Sequence, residues 1–310
     1  MTNTIRIVTR DSALALWQAN WVKERLEELV PEVSFALVTM KTQGDKILDV
    51  ALAKIGDKGL FTKELEIALL EHRAEMAVHS MKDVPTQLPP GLKIGAIAER
   101  HDPRDVLICP KGYTLLTLPQ GARVGTSSLR RRAQLAKLRP DLQILDLRGN
   151  LNTRFAKLDR GDFDAMLLAA AGVERMGWGD RITERISFEL SLPAVGQGSV
   201  GIEIRGDDPE VAEIAAKVNH RESALAIRAE RAMLKKLEGG CQIPIGCLGK
   251  VEGDKLVLDG LVASVDGSRI LRSRVEGKAN LPEELGVELA HKLLDMGAGE
   301  ILTELRQEQA

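Results

Sequence analysis

The sequence predicts an α/β protein made of two α/β units of similar size and a small C-terminal α+β domain with an antiparallel sheet. Three observations carry that prediction. Short β-type runs alternate with helical periodicity from Ile5 to Ala169. The pattern changes near Gly239, and apolar runs between Val251 and Val275 are then broken at Glu252-Gly253-Asp254 and Asp266-Gly267, both hairpin signals. A length of 310 residues is enough for two or three domains, each with its own core.

In chain order, Ile5–Thr9 alternates as a strand. Ser12 then precedes a helix on which Leu14, Trp17, Trp21, Leu26 and Leu29 recur at helical intervals. Val33–Thr39 reads as a strand, Thr62–Leu70 as a helix, and Glu75–His79 and Leu92–Ala98 as strands. Asp102-Pro103-Arg104 punctuates the chain. Strands follow at Asp105–Ile108, Ala122–Thr126, Gln143–Leu147 and Asp164–Ala169, with helices between them. A helix follows Asp207-Asp208-Pro209, a long amphipathic one spans Glu222–Leu237, and helices resume over Pro282–Leu305.

Composition removes several function classes. Lys plus Arg total 43 and Asp plus Glu 45, and aromatics make up 3%, so the chain has neither the positive field nor the stacking surfaces of a nucleic-acid binder. No basic n-region with an apolar stretch opens the chain and no run of eighteen apolar residues occurs. A cytoplasmic protein without membrane contact is expected. Three cysteines, Cys109, Cys241 and Cys247, form no CxxC, so reduced thiols are expected. The five histidines are scattered, so no metal is expected.

Gly196-Gln197-Gly198-Ser199-Val200-Gly201 matches a dinucleotide fingerprint, but a β-type run follows it where a helix is required, so a glycine-rich hinge is the better reading. Thr126-Ser127-Ser128-Leu129-Arg130-Arg131-Arg132 carries more information. Cations opening a helix oppose its dipole, an arrangement that makes sense if an anion binds there. Seven Arg and one Lys face two Asp between Arg123 and Arg154, and Arg148 and Arg154 flank a second strand-to-helix turn. A solvated helix face accounts for Arg132 and Arg139. Arg130, Arg131, Arg148 and Arg154 read as carboxylate or phosphate ligands. In Val78-His79-Ser80-Met81-Lys82-Asp83-Val84-Pro85, Lys82 and Asp83 follow a strand, where open α/β sheets bind ligands. They are a surface pair or a cation-stabilising carboxylate beside an anion site. Cys241, in Gly239-Gly240-Cys241-Gln242-Ile243-Pro244, is a candidate for covalent chemistry as nucleophile or attachment point, whereas Cys109 lies in an apolar run.

Together, His79–Pro85, Gly125–Arg131, Leu147–Asn150, Pro193–Gly198 and Glu238–Pro244 resemble the hydroxymethylbilane synthase, or porphobilinogen deaminase, family over nearly the whole chain. Leu52-Ala53-Lys54 and Lys58-Gly59-Leu60-Phe61 agree with it too, although Asp57 stands where the family usually has Gly. The resemblance implies a transferase that joins four porphobilinogen molecules head to tail with loss of ammonia. It also implies a dipyrromethane cofactor held by a thioether to Cys241, and Asp83 as the catalytic carboxylate. Lys82, Asp83, Thr126, Ser128, Arg130, Arg131 and Arg154 then bind the cofactor. Arg10, Ser12, Arg148, Arg154 and Arg175 bind substrate or the growing chain. The implied domains are 1–98 with 197–216, 103–194, and 220–310. The first two resemble a periplasmic-binding-protein pair joined by a hinge, and a monomer is expected. The competing reading is a non-catalytic two-domain anion-binding protein, which leaves Cys241 and Asp83 without roles. A nucleic-acid reading of the arginines predicts steep salt dependence and is opposed by the charge balance.

Overall fold

The computed structural model describes residues 4–46, 59–238 and 243–309. These group into two compact units, one from 4–46, 59–101 and 199–224, the other from 102–198, 225–238 and 243–309.

In the first unit, β1 (Thr4–Arg10) leads into helix α1 (Ala13–Leu29) and then β2 (Ser34–Met40). A one-turn helix α2 (Gln43–Lys46) follows, and further on helix α3 (Lys63–Leu70), β3 (Met76–Ser80) and β4 (Leu92–Ile97). The sheet is completed by β10 (Val200–Arg205), giving the order β2-β1-β3-β10-β4. Strand β1 runs parallel to β2 and β3, whereas β10 runs antiparallel to both its neighbours. Ile7, Val78 and Ile202 pack on one face with Val22 and Leu26 of α1 and with Val211 and Ile214 of α7 (Pro209–Ala216). Val8 and Ala77 pack on the other with Leu65 and Leu69 of α3. Cover on both faces explains why β3 opens on the unbroken apolar run Met76-Ala77-Val78. The segment after Gly198 is strand β10, as its β-type run predicts.

The second unit contains β5 (Asp105–Ile108), β6 (Arg123–Gly125), helix α4 (Leu129–Leu138), β7 (Gln143–Leu145) and helix α5 (Leu151–Asp159). Next come β8 (Ala165–Ala169), helix α6 (Ala170–Arg175) and the two-residue β9 (Glu184–Arg185). The sheet order is β7-β6-β8-β5-β9, with β6 parallel to β7 and β8, and β5 antiparallel to β8 and β9. Strand β9 has no sequence signature because two residues are too few to show a period.

The same unit carries a three-stranded antiparallel meander of β11 (Ile245–Glu252), β12 (Lys255–Ala263) and β13 (Ile270–Lys278), with a two-residue turn at Gly253-Asp254. Helices α8 (Arg221–Lys236), α9 (Pro282–Asp295) and α10 (Ala298–Gln309) supply Met233, Leu289, Leu293 and Ile301 to a core with Leu256 and Leu258 of β12. The opposite face of β12, through Leu261 and Ala263, meets Ala133 of α4 and Leu192.

The β12–β13 turn reaches α4 at Gly267. This residue holds φ +73°, and an added Cβ would collide with the Ala133 carbonyl and stand 2.9 Å from the Lys137 nitrogen. Gly267→Ala is therefore expected to cost about 1–3 kcal/mol, read as a lower urea midpoint at unchanged slope.

Candidate anion-binding and catalytic site

Parallel strands send their carboxyl ends to one edge of each sheet, where the following turns form ligand sites. In the first unit, β1 ends at Arg10, and β3 ends at Ser80 before a 3-10 turn over Met81–Asp83. Because β1 and β3 are parallel neighbours, Arg10 and the Lys82-Asp83 pair share that edge. Both Lys82 and Asp83 are half-buried. Ser12 sits at the N-cap of α1 without making a side-chain cap bond. Ser80 exchanges hydrogen bonds with Gln18 at 2.9 and 3.2 Å, which engages the hydroxyl in positioning.

Arg10 lies over the Phe61 ring, 4.3 Å from its centroid, and donates from Nε to Asp45 at 3.1 Å. Asp45 also accepts from the Thr42 hydroxyl at 2.7 Å. Burial alone would raise the Asp45 carboxyl, but the Arg10 guanidinium and Thr42 outweigh it and hold the group below the usual carboxylate range.

In the second unit, β6 ends at Gly125, and Thr126 continues the ladder by donating to the Leu145 carbonyl at 2.8 Å. Ser128 caps α4 by accepting from the Arg131 nitrogen at 3.4 Å. Arg130 and Arg131 turn inward from that helix onto one carboxylate, Asp105, the first residue of β5. Arg130 Nη1 donates to it at 2.6 Å and Arg131 Nε at 2.9 Å, and all three side chains are buried. The Ser191 hydroxyl at 2.9 Å and Gln197 Nε2 at 3.0 Å also donate to Asp105. The expected anion partner of these arginines is thus in part internal.

Burial works against the Asp105 charge, yet the two guanidiniums hold its carboxyl far below the usual range. Burial lowers Arg131, and the neighbouring Arg130 lowers it further against the pull of Asp105. Two cations on one anion leave a buried surplus of one positive charge. Arg175, at the end of α6, is 9% exposed and donates to the Gly198 carbonyl at 2.8 Å; burial lowers it to about 10. Ser127 Oγ and Arg130 Nε are buried with no hydrogen-bond partner among the described residues. Surplus charge and orphaned donors together form a donor set suited to carboxylates, the groups a dipyrromethane carries.

The third turn on this edge follows β7. Asn150 caps α5 by accepting from the Thr153 nitrogen at 3.0 Å, and Arg154 Nε donates to the Gly149 carbonyl at 2.8 Å. Arg148 is half-buried just before this turn. Strands β6, β7 and β8 are parallel, so Thr126, Ser128, Arg148 and Arg175 follow the carboxyl ends of three adjacent strands. Arg139 departs from the solvated face expected of it, donating to the carbonyls of Leu115 and Leu118 at 2.9 and 2.8 Å.

Cys241 lies outside the described residues, as do Lys54, Asp57 and Lys58. Cys109 and Cys247 are buried. Among the described residues no cluster of three His, Cys, Asp or Glu fits a metal ion, and no helix is long and apolar enough to cross a membrane. Sequence reasoning missed Asp105 and Asp45 as partners of the arginines. An acid opening the otherwise apolar run Asp105-Val106-Leu107-Ile108 was the available signal for the first.

Residues 5–213 match the family model "Porphobilinogen deaminase, dipyromethane cofactor binding domain", and residues 224–295 match "Porphobilinogen deaminase, C-terminal domain". The chain is 59% identical over 308 residues to a porphobilinogen deaminase of Carboxydothermus hydrogenoformans, covering 99% of each. It is 59% identical over 302 residues to one of Moorella thermoacetica, covering 97% of this chain and 96% of that one. Among solved structures, it is similar to the probable amino-acid ABC transporter extracellular-binding protein ytmK of Bacillus subtilis at a TM-score of 0.44 and 15% identity. That match covers 70% of this chain and 90% of the other.

Proposed function

The chain belongs to the porphobilinogen deaminase family, and on that premise we propose which of its residues hold the dipyrromethane cofactor, bind porphobilinogen and assist its deamination. The supporting observation is the buried surplus of guanidinium charge around Asp105, since a folded protein keeps such a surplus where an anionic ligand completes it. Bound by a thioether at Cys241, the cofactor supplies the pyrrole carbon from which the chain is extended.

Arg130, Arg131, Thr126, Ser128, Arg154 and Lys82 hold cofactor carboxylates, and Arg10, Ser12, Arg148, Arg154 and Arg175 take those of the substrate and the growing chain. When the C–N bond of its aminomethyl arm breaks and ammonia departs, porphobilinogen remains as a methylene-pyrrolenine cation. Asp83, half-buried after β3, would face the bound cofactor and stabilise with its carboxylate the charge that develops on the pyrrole nitrogen. Arg10 reaches substrate after exchanging the Asp45 carboxylate for a substrate carboxylate of the same chemistry.

The functional domains are 1–98 with 197–216, 103–194 and 220–310. Support comes from the separate hydrophobic clusters under each of the three sheets. The protein acts as a cytoplasmic monomer, with no nucleic acid or membrane partner.

Intact mass followed by peptide mapping tests the assignment. A pyrrole adduct is expected on Cys241 alone, and an adduct retained by Cys241→Ser overturns it. Native mass spectra after limited substrate addition should show Arg130→Leu or Arg131→Leu largely without cofactor. Arg10, Arg148 and Arg175 variants should keep the cofactor and stall at elongation. Identical intermediate distributions in all five variants would replace this division of labour with a diffuse electrostatic role.

A further inference from the structure

The α3 face of the first sheet buries three ionisable side chains to which the roles above give no task. His79 on β3 donates from Nε2 to Glu203 Oε2 on β10 at 2.9 Å, with the two residues 5% and 0% exposed. Glu66, from α3, is buried against the same face. One oxygen of each carboxylate, Glu66 Oε1 and Glu203 Oε1, takes part in no hydrogen bond among the described residues. Two carboxylates beside one imidazole are costly in a core, so a purely packing role is a poor explanation for them.

Their place in the register gives them a task. His79 pairs with Gly201 and Ser80 with Val200, and the chain then turns through Met81, Lys82 and Asp83. The Met81 nitrogen donates to the Ser199 carbonyl at 3.0 Å, and the Met81 sulfur occupies the space that a Cβ on Gly201 would fill. The His79–Glu203 bond is thus the side-chain tie between β3 and β10 nearest the turn on that face. We propose that Glu66, Glu203 and His79 form a positioning cluster that fixes the end of β3 against β10 and so sets where the Asp83 carboxylate stands. The proposal rests on the assignment of Asp83 as the catalytic carboxylate.

The cluster also ties that position to pH. Burial raises Glu66, with the nearby Glu203 and Glu64 adding to the shift and Thr62 and His79 opposing it. Several charged side chains on the surrounding elements are engaged elsewhere. Arg205 on β10 is spent on the Leu69 and Ala74 carbonyls and on Asp208, and Arg10 on β1 is paired with Asp45. Glu64 on α3 accepts from the Gln43 nitrogen. Ionisation of Glu66 as pH rises therefore sets a second negative charge beside Glu203 and loosens the tie.

The test uses purified cofactor-bearing enzyme and the pH dependence of kcat and KM for porphobilinogen. Glu66→Gln keeps the shape without the ionisation, and is expected to remove the fall in kcat that accompanies Glu66 ionisation as pH rises. His79→Gln is expected to lower kcat about tenfold with KM within about twofold, as for a reacting group displaced by a fraction of an ångström. The His79 Cε1 proton resonance, identified by its loss in His79→Gln, should move in Glu66→Gln. A Glu66→Gln profile that superimposes on the parent's, or kcat and KM falling together in His79→Gln, overturns the proposal. The two failures are separable. Near-normal turnover by Asp83→Asn removes the assignment of Asp83, whereas an unchanged His79 resonance in Glu66→Gln removes the cluster with that assignment intact.

Discussion

Asp83→Asn is expected to lower kcat on the order of a hundredfold or more, the usual cost of removing one preorganised charge-stabilising group. The substitution keeps the shape of the side chain and removes only its charge. Asp83 closes a 3-10 turn whose backbone is already fixed, since the Val84 nitrogen donates to the Met81 carbonyl at 3.3 Å and the Met81 nitrogen to Ser199 at 3.0 Å. Folding should therefore be nearly unaffected, within about 0.5 kcal/mol by urea titration, as for a substitution that creates no cavity and strands no buried partner. The variant should still carry its covalent pyrroles by intact mass. Turnover near that of the parent enzyme would end the catalytic role. A loss of both turnover and cofactor would move Asp83 from chemistry to cofactor assembly.

Asp105→Ala is expected to have the largest effect on stability, about 3–5 kcal/mol, because it leaves buried guanidiniums with no compensating charge. Against a typical total of about 5–15 kcal/mol, such a loss puts a large fraction of the chain out of the folded state. Four side chains, Arg130, Arg131, Ser191 and Gln197, lose an acceptor at once. The pH dependence has a definite sign. The carboxyl is depressed in the folded state, so its contribution is fully present above the ordinary carboxylate range and is lost only as pH falls well below that range. The stability difference between parent and Asp105→Ala should therefore be constant across neutral pH and shrink only in strong acid. A urea midpoint unchanged by Asp105→Ala would show that the surplus positive charge is compensated elsewhere.

Much of this architecture is legible in the sequence because its signals are local. The strand ends at Arg10, Ser80 and Gly125 and the turns after them are marked by apolar runs meeting hydroxyl, glycine or basic residues, and the structure places them within a residue or two. The hairpin turn at Gly253-Asp254 has the same character. What stays hidden is long-range pairing. Asp105 meets Arg130, 25 residues along, and His79 meets Glu203 across 124 residues, and no periodicity encodes either. A basic segment shows where charge accumulates without showing that a carboxylate from another strand neutralises part of it. The Arg10–Asp45 pair is hidden in the same way, since it depends on the turn after β2 returning to the end of β1.

The position of β10 has a consequence for how the chain reaches its folded state. This strand is made about a hundred residues after β4, yet it lies between β3 and β4 in the first sheet. During synthesis from the amino terminus, the first unit therefore waits with β3 and β4 unpaired along the edges that β10 will join. Strands β5 to β9 lie within one continuous stretch of chain and need nothing made later to complete their sheet. Closing such a long loop is slow, and unpaired strand edges are where chains associate wrongly. The nascent chain's most vulnerable interval thus runs from the emergence of β4 to the arrival of Val200, and the last strand to join brings Glu203 to His79.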